Sequence, residues 1–163
     1  MVKELVNGFK NFRDSYFEKR SQVLQQLAKK GQSPKTMVIC CSDSRVEPSL
    51  LFGTGPGDLF VVRNIANLVP PFTSKDNVSI GSALEYAVKI LRVKDIIVLG
   101  HAHCGGVAAL CKSIKNDKER ETTDNPTDFI KTWVDIAKPA LLKIDFNHKN
   151  EDIEVNSERA VLL

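Results

Sequence analysis

An α/β architecture, with a parallel β-sheet core flanked by helices and an N-terminal helical arm, follows from three features of the sequence. Short apolar runs at residues 36–41, 59–62 and 96–99 have the length and composition of buried strands. Segments with apolar residues at helical spacing stand between and around them. Strand and helix alternate along the chain, as they do where crossovers connect parallel strands.

Taken in order, Leu5, Val6, Phe9, Phe12, Phe17, Val23, Leu24 and Leu27 fall roughly at helical spacing among charged positions, which predicts an amphipathic arm of two helices from Val2 to about Lys30. Gly31 and Pro34 punctuate the chain before the first strand, Thr36-Met37-Val38-Ile39-Cys40-Cys41. A short helix opens near Pro48, and Gly53, Gly55, Pro56 and Gly57 break the chain before the second strand at Leu59-Phe60-Val61-Val62. Ile80, Leu84, Ala87, Val88 and Leu91 predict a helix from about Asn77 to Leu91, followed by a third buried strand, Ile96-Ile97-Val98-Leu99. Further helices are predicted from Gly105-Gly106 to about Ile114, from Phe129 to Leu142 and from near Ser157, with a polar break from Asn116 to Asn125.

The 163 residues, 42% apolar and 26% charged, suffice for one domain with its own core, so a single domain over 1–163 is expected, with 1–30 as the arm. The net charge of +3 comes from scattered residues, which leaves no footprint for a nucleic-acid partner. No apolar run approaches the roughly 18 to 20 residues of a membrane span, and Met1-Val2-Lys3-Glu4 does not open a signal peptide, so a soluble protein is expected, cytoplasmic by default. Four cysteines, two of them adjacent, read as reduced thiols, and thiols beside histidines more often bind metal or catalyse than cross-link.

Functional groups in open parallel sheets gather at the carboxyl ends of strands. The first strand ends at Cys41 and the third leads into Gly100-His101, so if the two are neighbours, Cys41, His101 and Cys104 converge. Two thiolates and one imidazole suit zinc, and three protein ligands leave a fourth position for water. The His101-x-x-Cys104 spacing lets one turn present two ligands, and Gly105-Gly106 lets backbone pack closely behind them. The polar segment Cys41-Ser42-Asp43-Ser44-Arg45 stands directly at the end of an apolar strand. There Asp43 is placed to accept a hydrogen bond from a metal-bound hydroxide, and Arg45 to hold the carboxylate in a charge-assisted fork. Taken singly, Cys41 and His101 read more readily as a core thiol and a capping histidine, and Asp43 with Arg45 as a structural pair; the combination favours a site. Cys40 is the rival of Cys41, but neighbours on a strand face opposite ways, so only one reaches the metal. A cysteine-dependent phosphatase would need a Cys-x5-Arg loop, which neither Cys40 nor Cys41 makes with Arg45, and residues 53–57 lack the ending of a phosphate loop.

The strings Cys41-Ser42-Asp43-Ser44-Arg45-Val46, Val62-Arg63-Asn64-Ile65-Ala66-Asn67 and Gly100-His101-Ala102-His103-Cys104-Gly105-Gly106 resemble, in order and interval, the signature segments of the β-class carbonic anhydrases, over a stretch reaching from the arm to about Leu142. The resemblance implies one Zn²⁺ per chain on Cys41, His101 and Cys104, with Asp43 and Arg45 as catalytic dyad and Asp43 as a fourth zinc ligand in a closed state. It selects Cys41 over Cys40 and His101 over His103, for which a proton-shuttle role is the lesser reading; Cys111 and His148 are assigned structural or solvent roles. It also implies hydration of carbon dioxide to bicarbonate and a proton by zinc-bound hydroxide, which a three-histidine zinc site forms near pH 7.

Further positions match the plant-like branch: Gln32, nine residues before the cysteine ligand, as a substrate hydrogen-bonding residue, and Phe60 and Tyr86 as aromatic groups lining a narrow apolar pocket, commonly across a dimer interface. Without the resemblance, Phe60 and Tyr86 read as core residues. Gly105 completes the substrate-binding set. The implied partner is a second copy of the chain, in a homodimer or higher homo-oligomer packed through the arm. Family members continue beyond position 163 with a further strand and helices, so the C-terminal part of the family fold is expected to be missing. Two alternatives stand beside hydration: hydrolysis of carbonyl sulfide or carbon disulfide on the same fold, and a closed, inactive zinc-binding member.

Overall fold

The computed structural model describes residues 1–72, 78–117 and 129–143. Its centre is a three-stranded, all-parallel sheet in the order β2-β1-β3, formed by β1 (Thr36–Cys41), β2 (Leu59–Asn64) and β3 (Asp95–Leu99). Around it run α1 (Val2–Asn11), α2 (Ser21–Lys30), α3 (Pro48–Leu51), α4 (Val78–Glu85), α5 (Gly105–Asp117), α6 (Phe129–Val134) and α7 (Lys138–Leu141).

β1 is central because it is the strand that is apolar on both faces. Met37 and Ile39 pack with Phe60, Val62, Ala83, Leu84, Ala87 and Val93 on one side, whereas Val38 and Cys40 pack with Val46, Leu59 and Leu99 on the other. Met37, Val38 and Ile39 are wholly buried, each contributing about 1.5–3 kcal/mol of transfer free energy. Thr36 pairs with both Leu59 and Asp95, and this register carries Cys41 opposite Asn64.

The third strand is not buried as its composition predicts. β3 pairs with β1 alone, and Ile96, Ile97 and Val98 are 46%, 38% and 54% exposed. An apolar run specifies a strand, but whether its faces are covered depends on neighbours, and the described residues cover these only in part.

The arm forms two helices, with a π-helical stretch at Phe12–Phe17 continuing α1. In its second helix Leu24 and Leu27 are partly buried, and Leu27 lies against the loop before β2. A Cβ on Gly57, whose φ is +91°, would stand 2.7 Å from Leu27 Cδ2, so glycine permits that approach. By contrast α1 and the π turn bury nothing: Leu5, Phe9, Phe12, Tyr16 and Phe17 remain exposed, with Phe12 stacked on Tyr16 at 5.2 Å between ring centroids.

α4 passes into a π turn at Tyr86–Leu91 that ends where Arg92 turns left-handed and its N–H bonds the Ala87 carbonyl. The helix predicted over 129–142 is divided into α6, a 3₁₀ turn at Asp135–Ala137 and α7, because Pro139 has no N–H to continue the α pattern. These pieces pack against α5 through Leu110, Cys111, Val134 and Leu141. Asn77, residues 118–125 of the polar break, His148 and the helix predicted near Ser157 lie outside the described residues.

Candidate metal centre

β1 and β3 are neighbours, so the loops leaving their carboxyl ends meet. Alternation along β1 sends Cys40 into the cluster with Val38 and Val46, and sends Cys41 to the opposite face beside Ala66 and Cys104. The Sγ atoms of Cys41 and Cys104 stand 4.0 Å apart, and one donor atom each from Cys41, His101 and Cys104 fall within 4.8 Å of one another. Two sulfurs sharing a tetrahedral zinc at about 2.3 Å are separated by roughly 3.8 Å. His101 adds the complementary donor. Its Nδ1 lies 2.9 Å from the Ala102 carbonyl, so Nδ1 carries the proton and donates it, while Nε2 is buried and has no hydrogen-bond partner among the described residues. Two thiols and an orphaned imidazole lone pair at this separation fit a soft, four-coordinate divalent ion.

Cys104 immediately precedes α5 and is fully buried. Burial pushes its thiol above the ordinary value and the neighbouring Cys41 adds to this, against the backbone N–H groups of Val107 and Gly106, which pull it back. The close seat of α5 requires glycine at 106: a Cβ there would lie 2.7 Å from Ile65 Cγ2 and 2.9 Å from Ala66 Cβ.

Asp43 and Arg45 meet in a complete fork. Arg45 Nε donates to Asp43 Oδ1 at 2.9 Å and Nη2 to Oδ2 at 2.8 Å, with the Arg45 backbone N–H adding a third bond to Oδ1 at 2.9 Å. The guanidinium, then the backbone N–H, hold the Asp43 carboxyl far below the usual carboxylate range. Asp43 Oδ2 stands 3.9 Å from His101 Nε2, and Arg45 Nη2 also donates to the His103 carbonyl at 3.1 Å, tying the loop after β1 to the loop after β3. His103 itself has a left-handed backbone, φ +54°, which aims that carbonyl.

A family model described as carbonic anhydrase matches residues 36–162. The β-carbonic anhydrase CcaA, of known structure, is 32% identical and superposes with a TM-score of 0.81, covering 98% of this chain and 75% of that one. The chain belongs to the β-carbonic anhydrase family. Beta carbonic anhydrase 3 of Arabidopsis thaliana is 38% identical over 153 residues, which are 94% of this chain and 57% of that protein, so the chain spans little more than half the length of that relative. A structure from work on two tetrameric β-carbonic anhydrases of the filamentous ascomycete Sordaria macrospora is 27% identical with a TM-score of 0.72, covering 98% of this chain and 74% of that one.

Within one copy of this β-carbonic anhydrase family member, the remaining sequence-predicted residues are divided. Gly105 opens α5 directly after Cys104, with open space where a side chain would go. Gln32 is exposed before the amino end of β1, whereas Cys41 closes the other end, and the five residue steps of strand between Thr36 and Cys41 span roughly 16 Å. Phe60 stacks on Tyr86 at 5.9 Å between centroids, opposite Met37 in the register and four positions before the site end of β2. The structure therefore gathers Cys41, Asp43, Arg45, His101, Cys104 and Gly105, and leaves Gln32, Phe60 and Tyr86 apart from them.

Three contacts escape a residue-by-residue reading of the sequence. Asn64 clips the turn after β2, accepting from the Leu68 N–H at 2.8 Å and donating to its carbonyl at 2.9 Å. Trp133 Nε1 donates to the Ile65 carbonyl at 2.7 Å, fastening α6 to that turn. Arg63 bonds the loop that carries Asp43. Asn64 and Arg63 stand in a signature string, which was the available signal, but their partners are set by tertiary structure.

Proposed function

We propose that the chain catalyses the reversible hydration of carbon dioxide to bicarbonate and a proton, with one zinc ion held by Cys41, His101 and Cys104. The observation that carries this reading is the convergence of two buried thiols and a ring nitrogen of His101 within 4.8 Å of one another, in a ring whose Nε2 is buried without a hydrogen-bond partner among the described residues, beside a carboxylate locked by arginine. When bound there, zinc would lower the pKa of a coordinated water enough to supply a nucleophile near neutral pH.

The chain's own residues would do the rest. Asp43, kept ionised by Arg45, has only acceptor oxygens, so it takes a hydrogen bond from the nucleophile's O–H and leaves a lone pair facing the carbon of carbon dioxide. Both Asp43 oxygens are engaged by Arg45, an arrangement that favours an open site over one closed by the carboxylate. Burial of Cys41 and Cys104 excludes bulk water from the ligand side. The proton released on regeneration passes to buffer.

Assembly follows from what one copy lacks. Gln32 precedes the amino end of β1, Phe60 stacks on Tyr86 four positions before the end of β2, and the arm presents exposed Leu5, Phe9 and Phe12. We assign these to a homo-oligomer in which the arm packs on a second copy and the three residues complete that copy's pocket, in keeping with the tetrameric Sordaria relatives. Cys40, Cys41 and Cys104, as free thiols, suit a reducing compartment, with the cytoplasm as the proposed location.

Stopped-flow hydration of carbon dioxide on metal-quantified protein tests the reading. One zinc per chain with rapid turnover that disappears in Cys41→Ser supports it; one zinc per chain without turnover overturns the enzymatic part.

A further inference from the structure

We propose that Arg63 is a positioning residue for the metal centre, clamping the backbone from Cys41 to Asp43 so that the Cys41 thiol and the Asp43 carboxylate face one point. The proposal rests on the zinc reading above for its consequence, and on the geometry of the loop for its cause.

The ladder of β1 ends at Cys41, and the next residues must leave the sheet while keeping two functional side chains aimed. Backbone bonding in this stretch is thin: Ser42 N–H donates to the Asn64 carbonyl at 2.9 Å, and Val46 N–H to the Asp43 carbonyl at 3.0 Å. Arg63 supplies what is missing. Its Nε donates to the Cys41 carbonyl at 3.1 Å and its Nη2 to the Asp43 carbonyl at 2.8 Å, gripping the peptide unit that follows the ligand and the one that follows the dyad's carboxylate. Its Nη1 pairs with Glu47 Oε2 at 3.2 Å, and Glu47 Oε1 accepts the Ser49 N–H at the start of α3. The guanidinium is thus held at one corner and grips the loop with the other two.

In the register Arg63 stands opposite Cys40, on the sheet face away from Cys41, so it reaches the loop from behind and contributes no atom to the metal position. Asp43 is then held twice, its carboxylate by Arg45 and its carbonyl by Arg63. Rotation of the peptide unit after Cys41 or of the one after Asp43 would break an Arg63 bond and turn Cys41 or Asp43 aside. A planar fork can span two carbonyls and a carboxylate; the point charge of lysine cannot.

The test compares Arg63→Ala, Arg63→Lys and Glu47→Gln with the unchanged chain, each loaded with cobalt(II), whose thiolate charge-transfer and d–d bands report ligand geometry. The Arg63 variants should bind cobalt about 10–100-fold more weakly, with shifted bands and a fall in kcat rather than a rise in KM. In the metal-free proteins, the Val46 amide should exchange hydrogen faster, and Glu47→Gln should move every readout in the same direction by less. A folded Arg63→Lys chain with unchanged cobalt spectrum, affinity and Val46 exchange overturns the proposal, and this variant decides if Arg63→Ala does not fold. If the unchanged chain binds cobalt but does not hydrate carbon dioxide, the enzymatic reading fails while the spectral and exchange comparison still judges Arg63. If it binds no cobalt, both fall.

Discussion

Asp43 carries two loads that a single substitution separates. Its carboxylate receives three hydrogen bonds from Arg45, and its oxygen Oδ2 lies 3.9 Å from His101 Nε2. Asp43→Asn keeps the size and removes the charge, so the three ligands should still hold one metal per chain while turnover falls about 10–100-fold, as metal analysis and rapid-mixing kinetics on one preparation would show. Gly106 presents the opposite case, a residue defined by the absence of atoms. In Gly106→Ala the new Cβ meets Ala66 Cβ, which cannot swing away, and unfolding in urea should register a loss of about 1–3 kcal/mol. The clustering of Cys41, His101 and Cys104 was legible in the sequence, because Cys41 ends an apolar run and His101-x-x-Cys104 follows another. The unpartnered state of His101 Nε2 was not, since it depends on where the Ala102 carbonyl points.

At the level of elements, the first strand occupies the residues its composition marks, but the second runs two further, through Arg63 and Asn64. Those positions pair with Cys40 and Cys41, and a polar strand end leaves no trace in an apolar count. The exposure of β3 and the two π turns were equally out of reach of periodicity, because both depend on what packs alongside. Two elements invite direct tests. Trp133→Phe removes the donor that fastens α6 to the Ile65 turn and should cost about 1 kcal/mol in a urea titration, with no change in metal content. On the arm, the double change Phe9→Glu and Phe12→Glu places charge in the exposed apolar stripe; sedimentation should show a smaller species, whereas an unchanged assembly would remove the arm from the interface.

For the molecule as a whole, a metal bound at this cluster would be linked to the fold through mass action. A chelator that strips the ion should lower the unfolding free energy by about 4 kcal/mol relative to protein held at a thousandfold excess of zinc over its dissociation constant, and restoring zinc should recover it. The order in which the parts come together is set by the sheet. Every strand pairing joins distant stretches of chain, Thr36 with Leu59 and Thr36 with Asp95, and the two sulfurs come from positions 63 apart. Such non-local pairings make the search for the native topology slow, and the loop-closing entropy is spent before the donors can share an ion. Zinc should therefore meet a finished framework: refolding from urea should proceed at the same rate with or without zinc, followed by a second, zinc-concentration-dependent step, and acceleration by zinc would mean that the donors meet before the strands do.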